Sequence, residues 1–332
     1  MNRKLITYRN CSRGGVSAVI RGRAADEPET HFDALFELDK GGRQVFEDLP
    51  NVSVRIARKG NLKSLVNYAL KERVYSEVSI FSDPELANEI SVPDITMLVY
   101  ELHSGSFQTV ERELAKLEQS RVDVFRMPSE HSRFNIEPMI KTRYARRIEV
   151  SPNLINPTIF NTSPKAPQYT FPDDVIPIIW VGRFDKGKGP KYLVRTLAQL
   201  PSEYHAYMIV SLETEPGPAS DVLGEADALG VSHRLHLRSN LSQQTVAAMY
   251  RGAAASGGCL ASTSLLESFG YLFSEAPACG LTVYAFDLPV IHEHTDYQAL
   301  IHVVPPGDVT ALSRMVQRHG APSPSATGHL RN

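Results

Sequence analysis

Ile176-Pro177-Ile178-Ile179-Trp180-Val181-Gly182-Arg183-Phe184-Asp185-Lys186-Gly187-Lys188-Gly189 is the stretch on which the fold turns. Residues Ile176–Val181 form an unbroken apolar run, the pattern of a strand buried on both faces. A loop of glycines and cations follows, and Lys191–Leu200 then repeats apolar residues at helical spacing. Strand, glycine loop and helix open a βαβ unit. Strands that alternate with helices imply a parallel sheet.

The same alternation continues downstream. Ala206–Leu212, Leu235–Leu237, Cys259–Thr263, Thr282–Phe286 and His302–Val304 read as strands, and Gln244–Arg251, Gly270–Cys279 and Val309–Gln317 as helices. Upstream, Leu5–Tyr8 is a short β-type run ending in Arg9-Asn10-Cys11-Ser12-Arg13-Gly14-Gly15, before a helical pattern of Val16, Val19 and Ile20. Val52–Ile56, Val78–Phe81, Thr96–Tyr100 and Val122–Phe125 are further strand-like runs, with helical patterns such as Leu62–Leu70 and Val110–Leu117 between them. Residues 161–174 contain Pro164, Pro167 and Pro172 and few apolar residues, so they predict a linker. The expected division is an N-terminal unit over 1–163, a C-terminal unit over 164–319 and a disordered tail over 320–332.

Length and composition agree with two ordinary globular domains: 332 residues, 42% apolar and 22% charged. A net charge of −2 argues against a general nucleic-acid binder, which needs a basic footprint. The three cysteines (Cys11, Cys259, Cys279) have no metal-ligand spacing, which excludes a disulfide framework and suits a reducing compartment. No apolar stretch approaches the roughly 20 residues that span a bilayer. Met1-Asn2-Arg3-Lys4 has the charge of a signal peptide without the apolar segment after it. The expectation is a soluble cytoplasmic protein.

Five constellations could carry chemistry. In Gly182–Gly189, Arg183 and Lys188 follow a strand, where open α/β sheets bind ligands, and could neutralise a diphosphate. A basic solvated turn is the alternative. Glu267-Ser268-Phe269-Gly270-Tyr271-Leu272-Phe273-Ser274-Glu275 joins a strand to a helix. Gly270 allows close backbone approach, and the helix start offers unpaired N–H groups to an anion. Leu272, Ala276 and Cys279 face the core. Glu275 lies off that stripe, where a carboxylate could accept from two vicinal hydroxyls, and Glu267 could hold a second polar group. Two surface glutamates are the plain alternative. Arg13-Gly14-Gly15 could form a phosphate nest, or an ordinary turn. His103 follows the strand Thr96–Tyr100, although a lone histidine is more often structural. Arg133, Lys141, Arg143, Arg146 and Arg147 form a basic stretch over 133–147, usually a solvated face, which could touch an anionic acceptor or a membrane surface.

Together these residues resemble the GT-B glycosyltransferases of family 4. Val181-Gly182-Arg183-Phe184 with Lys188-Gly189 looks like the family's Gly-Arg-x4-Lys-Gly motif. Glu267 to Glu275 matches its Glu-x7-Glu motif, and Ala276-Pro277-Ala278-Cys279-Gly280-Leu281-Thr282-Val283 is similar to the segment that follows. Val304-Pro305-Pro306-Gly307-Asp308, Met127-Pro128-Ser129-Glu130 and Val150-Ser151-Pro152-Asn153 also fit. The resemblance implies an α/β GT-B fold: two Rossmann-like domains with parallel sheets facing a cleft, the first for the acceptor and the second for the donor.

The resemblance further implies a retaining enzyme that needs no metal and no resident cofactor. Its co-substrate would be a nucleotide sugar, a UDP-sugar favoured over GDP-mannose. Arg183 and Lys188 would hold the diphosphate, and Gly14 and Gly15 would approach it from the other domain. Phe269 and Gly270 would line the donor site. Glu267 would contact the transferred sugar, Glu275 the ribose, and His103 the reacting centre. The acceptor would be a small molecule, a glycan or a lipid-linked group, with peripheral contact to the inner face of a membrane through 133–147. Two departures stand out: Val210-Ser211-Leu212-Glu213 replaces a Gly-rich turn, and Phe286-Asp287-Leu288-Pro289-Val290 lacks a Gly-Gly before the next glutamate, taken as Glu293. Rival readings are a GT-B UDP-sugar epimerase and a non-catalytic sugar-nucleotide-binding protein.

Overall fold

A computed structural model describes residues 2–210 and 216–320. In chain order the N-terminal half comprises β1 (Asn2–Cys11), α1 (Gly15–Asp26), β2 (Thr30–Asp39), β3 (Val52–Ile56), α2 (Leu62–Glu72), β4 (Glu77–Phe81), α3 (Pro84–Glu89), β5 (Met97–Glu101), α4 (Phe107–Lys116), β6 (Val124–Met127), α5 (Glu130–Ile136) and β7 (Ile148–Val150). The C-terminal half comprises β8 (Ile176–Val181), α6 (Pro190–Ala198), β9 (Tyr204–Val210), α7 (Pro216–Ala228), β10 (Leu235–Ser239), α8 (Gln243–Ala255), β11 (Cys259–Ser262), α9 (Leu272–Ala278), β12 (Val283–Phe286), β13 (Ile301–Val304) and α10 (Val309–Gly320).

Among the described residues the strands form two sheets, in the orders β3-β2-β1-β4-β5-β6-β7 and β10-β9-β8-β11-β12-β13. Neighbouring strands pair in parallel. This is the doubly wound arrangement expected from the sequence, written twice. Each sheet reverses direction beside its first strand, between β1 and β4 and between β8 and β11. The crevice outside the carboxyl ends of the strands at such a point is where ligands bind.

Packing follows the sequence pattern. In α1, Val19, Ile20 and Ala24 pack on Phe32, Phe36 and Phe81 of the sheet. The other face of that sheet is closed by α2 and α4 through Val66, Leu70, Val110 and Leu114. In the second domain Leu193, Val194 and Leu197 of α6 lie against Trp180 and Met208, and α8 and α9 cover the opposite face.

Three local expectations are corrected. The first strand runs on through Arg9 and Asn10 to Cys11, because β2 pairs with it to the end (Asn10 with Leu38, Cys11 with Asp39). The sequence pattern predicts no strand at Thr30–Asp39, where Asp33 and Glu37 mask the apolar run. Asp33 is nonetheless only 2% exposed. It accepts from Arg3 at 2.9 Å, Arg73 at 3.1 Å and the Tyr75 hydroxyl at 2.8 Å, and these partners hold its carboxyl below the usual range against the cost of burial. The helix expected from Gly270 begins at Leu272, because Gly270 has φ +79° and cannot start it.

The proline-rich stretch expected as a linker is strapped onto α8. Arg251 donates to the Ile159 carbonyl at 2.9 Å and the Pro167 carbonyl at 2.8 Å. Ile159, Phe160 and Phe171 enter the second domain's core. Ser211, Leu212 and Glu213 of the departure noted above, and residues 321–332 of the tail, lie outside the described residues, whereas Gly320 closes α10.

Candidate active site

The loop after β8 is stitched to the loop after β11. Gly189 has φ +58°, and a Cβ there would lie 2.4 Å from the Thr263 carbonyl oxygen. Thr263 Oγ1 donates to the Gly189 carbonyl at 2.9 Å and accepts from Trp180 Nε1 at 3.0 Å. This geometry brings Lys188 Nζ to 2.5 Å from Glu267 Oε1, which also accepts from Ser264 Oγ at 2.8 Å. The Glu267 side chain is 8% exposed and that of Lys188 21%. The predicted phosphate lysine and sugar glutamate therefore meet. Arg183 stays on the rim, where its Nε lies 3.0 Å from Asp185 Oδ2.

Phe269 and Gly270 lead from Glu267 into α9. A Cβ on Gly270 would fall 2.5 Å from the Phe273 ring, so the turn excludes other residues. His294 Nε2 lies 2.8 Å from the Phe269 carbonyl, and its Nδ1 lies 2.7 Å from Ser274 Oγ. A carbonyl only accepts, so Nε2 carries the proton and Nδ1 accepts from the serine. Burial lowers the pKa of this ring and keeps it neutral.

Glu275 sits one turn into α9. Its carboxyl meets no hydrogen-bond donor among the described residues, and desolvation pushes its pKa up to about 8. The hydroxyls of Tyr250 and Tyr271, both close enough to Glu275 to feel its charge, are buried and also without a partner.

On the opposite wall, Gly14 caps α1 and Gly15 opens it. A Cβ on Gly15 would meet nothing within 4 Å, so the space above it is open to a ligand. His103 Nε2 lies 2.9 Å from Glu101 Oε2, and its ring packs at 5.0 Å on Phe81. Glu101 is fully buried and binds Arg23 at 2.5 Å and Arg126 at 3.1 Å. Arg126 continues to Glu77 at 2.8 Å and Glu149 at 2.8 Å. Against the cost of burial, Arg23 and the hydrogen bond with His103 hold the Glu101 carboxyl far below the usual range, while desolvation lowers the pKa of His103. The sequence reading singled out His103 but neither Glu101, Arg23 nor Arg126. A charged residue inside the apolar strand Met97–Glu101 was the available signal.

Hydrogen bonds join the two walls. Ser268 Oγ donates to the His103 carbonyl at 2.8 Å, and Ser129 Oγ donates to the Ser268 carbonyl at 2.7 Å. Arg13 Nη1 reaches the Asn240 carbonyl at 2.8 Å. Glu293 accepts from the backbone N–H of Glu130 at 2.9 Å and of His131 at 2.6 Å, capping α5 from the other domain. At Gly105 a Cβ would lie 3.3 Å from the backbone of Glu267 and Ser268. His103, Glu267, Lys188, Phe269 and Gly270 thus share one cleft between the carboxyl ends of both sheets.

The basic stretch over 133–147 is not part of this cleft. Arg133 pairs with Glu137 at 3.3 Å, Arg147 donates to the Val122 carbonyl at 2.5 Å, and Arg143 lies over the Tyr144 ring at 4.7 Å. Among the described residues no group of three His, Cys, Asp or Glu side chains is gathered as for a metal ion, and no helix is long and apolar enough to cross a membrane.

Comparison with known proteins agrees with this architecture. Residues 162–318 match the family model described as glycosyl transferases group 1. A D-inositol 3-phosphate glycosyltransferase of Mycolicibacterium smegmatis is 30% identical over 175 residues, 46% of this chain and 38% of that protein. One of the same name from Xylanimonas cellulosilytica is 32% identical over 108 residues, 32% of this chain and 25% of that protein. The chain thus spans well under half the length of these curated relatives. Among solved structures, Anabaena HepE in complex with UDP and glucose aligns with a TM-score of 0.76 at 16% identity, covering 96% of this chain and 89% of that one. Sucrose-phosphate synthase of Thermosynechococcus elongatus aligns with a TM-score of 0.73 at 18% identity, again over 96% and 89%. At such identities the likeness is one of fold. The chain has a GT-B fold, and its match to the glycosyl transferases group 1 model covers residues 162–318 of the C-terminal half.

Proposed function

We propose that this protein transfers a sugar from a nucleotide-activated donor to an acceptor hydroxyl in the interdomain cleft. The observation that carries this reading is the convergence of Lys188 and Glu267 at 2.5 Å opposite His103, with Glu275 left free beside them. Lys188, Arg183 from the rim and the N–H groups at the start of α9 supply positive potential for a departing diphosphate without a metal. Glu267 accepts from hydroxyls of the transferred sugar, and Glu275 takes the ribose diol. Across the cleft, the open space at Gly15 admits the phosphates and His103 borders the sugar.

In the reaction, the bond between the anomeric carbon and the donor phosphate oxygen breaks. The acceptor oxygen bonds to that carbon on the same face, so configuration is retained. The acceptor proton passes to the departing phosphate. A UDP-sugar is the favoured donor, in keeping with the UDP and glucose held by the Anabaena structure. The test is incubation with UDP-glucose, other UDP-sugars and GDP-mannose against an acceptor panel, reading nucleoside diphosphate release and the anomeric configuration of the product. Release that needs an acceptor, with retention, supports the reading. Conversion of the donor to an isomer with no acceptor present would identify an epimerase instead.

A further inference from the structure

The Tyr271 hydroxyl is a buried polar atom with no partner among the described residues. A phenol left unpaired away from water carries an uncompensated desolvation cost, so its retention needs a reason. Packing does not require it. The ring lies edge-on to Phe269 at 5.3 Å and against the apolar cluster of Ile6, Val19 and Phe81 from the first domain. A phenylalanine would make those same contacts.

Its surroundings define what it can bind. Tyr271 is the cap residue of α9 with helical φ and ψ, and Glu275 lies four residues on. The two side chains therefore share one helix face, with Cβ atoms about 5–6 Å apart. Neither has a hydrogen-bond partner among the described residues. One is a donor and the other, once ionised, a pure acceptor. Arg23 is the nearby cation that acts on the phenol, and it is already engaged by Glu101. A phosphate at this spot would oppose the ionisation of Glu275 and find no free cation among the described residues to balance its charge. A neutral diol suits both groups, because each hydroxyl can give its proton to the carboxylate and still accept from the phenol.

Resting on the donor site proposed above, we infer that the Tyr271 hydroxyl donates a hydrogen bond to a ribose hydroxyl of the bound nucleotide, completing with Glu275 a ribose-reading pair on one face of α9. Tyr271 is then a specificity residue that spans the cleft: its backbone belongs to the donor domain and its ring is clamped by the acceptor domain.

Calorimetric titration of wild type and Tyr271→Phe with UDP, GDP, 2′-deoxy-UDP and 3′-deoxy-UDP tests this, together with thermal melting of the ligand-free proteins. We expect Tyr271→Phe to bind UDP 3- to 10-fold more weakly than wild type, as for one hydrogen bond of about 0.5–1.5 kcal/mol. With the deoxy analogue that lacks the contacted hydroxyl, the two proteins bind alike. The ligand-free variant melts no lower than wild type, a result that a structural hydroxyl would not give. Unchanged UDP affinity, an equal loss with both deoxy analogues, or a lower melting temperature would each overturn the inference. If wild type takes neither UDP nor GDP, the donor-site reading fails and this inference with it. If wild type binds and the variant binds equally, only the inference falls.

Discussion

Lys188 Nζ lies 2.5 Å from Glu267 Oε1, so the cation and the carboxylate assigned to the donor in the function proposed above hold each other in the free protein. A ligand that enters this site competes with an existing ion pair. On the function proposed above, a diphosphate would draw the ammonium away, and sugar hydroxyls would replace it as donors to Glu267.

Lys188→Ala is predicted to weaken nucleoside diphosphate binding at least 10-fold and also to destabilise the free protein. It leaves a carboxylate that is 8% exposed without its cation. Breaking a fully buried pair costs ~3–5 kcal/mol, and the partial exposure of Lys188 reduces this to about 2 kcal/mol. Adding Glu267→Gln to Lys188→Ala should restore most of the stability and none of the affinity. Urea denaturation and nucleotide titration of the two single variants and the double variant check this. Equal stability of Lys188→Ala and wild type would show that the pair contributes nothing.

Much of this site was legible in the sequence, because its motifs lie on two βα loops of the second domain. There, strand, glycine and helix signals are local, and Lys188, Glu267 and Gly270 are fixed by the loops that carry them. The opposite wall was less legible. His103 is oriented by Glu101, whose partners Arg23 and Arg126 come from α1 and β6, 78 and 25 residues away. Likewise, β2 was hidden because Asp33 reads as a surface acid until Arg3, Arg73 and Tyr75 are brought to it by sheet order. Burial of charge is a tertiary event, and hydrophobic periodicity does not register it.

Acid should unfold this protein through those same carboxylates. Asp33, Glu77 and Glu101 all have folded pKa values below their ordinary ones, each held down by arginines. A depressed carboxylate contributes stability that is present above its unfolded pKa and lost as pH falls through the folded one. Melting temperature is therefore predicted to decline progressively below about pH 4.5, the ordinary carboxylate range. Glu101→Gln leaves Arg23 and Arg126 short of an anion and should cost ~3–5 kcal/mol at neutral pH, with a shallower acid slope. Circular dichroism melts between pH 3 and 8 test both statements. An unaltered slope in the variant would remove Glu101 from the account.

Glu275 has the opposite sign. Its pKa is raised to about 8 by burial, so the folded state prefers the protonated form. A raised carboxyl contributes stability that is complete below its unfolded value, near 4.5, and lost as pH rises toward 8. Glu275→Gln should therefore melt higher than wild type at pH 8, with the difference shrinking toward pH 5. The same variant should lose ribose recognition, since an amide cannot accept from two hydroxyls as a carboxylate does. In wild type, nucleotide binding at pH 7 should release a proton as Glu275 ionises to meet the diol. Titration calorimetry in buffers of different ionisation enthalpy measures that proton directly. Identical heats in phosphate and Tris would contradict it.

Glu293 joins the domains by a different device. Its carboxylate accepts from the backbone N–H groups of Glu130 and His131, which open α5 in the other domain. An anion at a helix start is favoured by the unpaired N–H groups and by the dipole, typically by ~0.5–2 kcal/mol. Here that energy acts across the cleft, so it stabilises the approach of the domains rather than the helix alone. Ser129 and Ser268 add a contact at 2.7 Å, but Ser129 also caps α5 through Ser132 N at 3.1 Å and keeps that role when the domains part. Glu293→Ala is therefore predicted to favour an open arrangement without unfolding either domain. Small-angle scattering should show a larger radius of gyration in the ligand-free variant, and saturating nucleotide sugar should shrink it toward the wild-type value. Catalysis should fall mainly through a higher KM, because closure then draws on donor binding energy. A radius equal to that of wild type, with KM unchanged, would mean that the serine contacts and the Arg13–Asn240 bond suffice to keep the cleft closed.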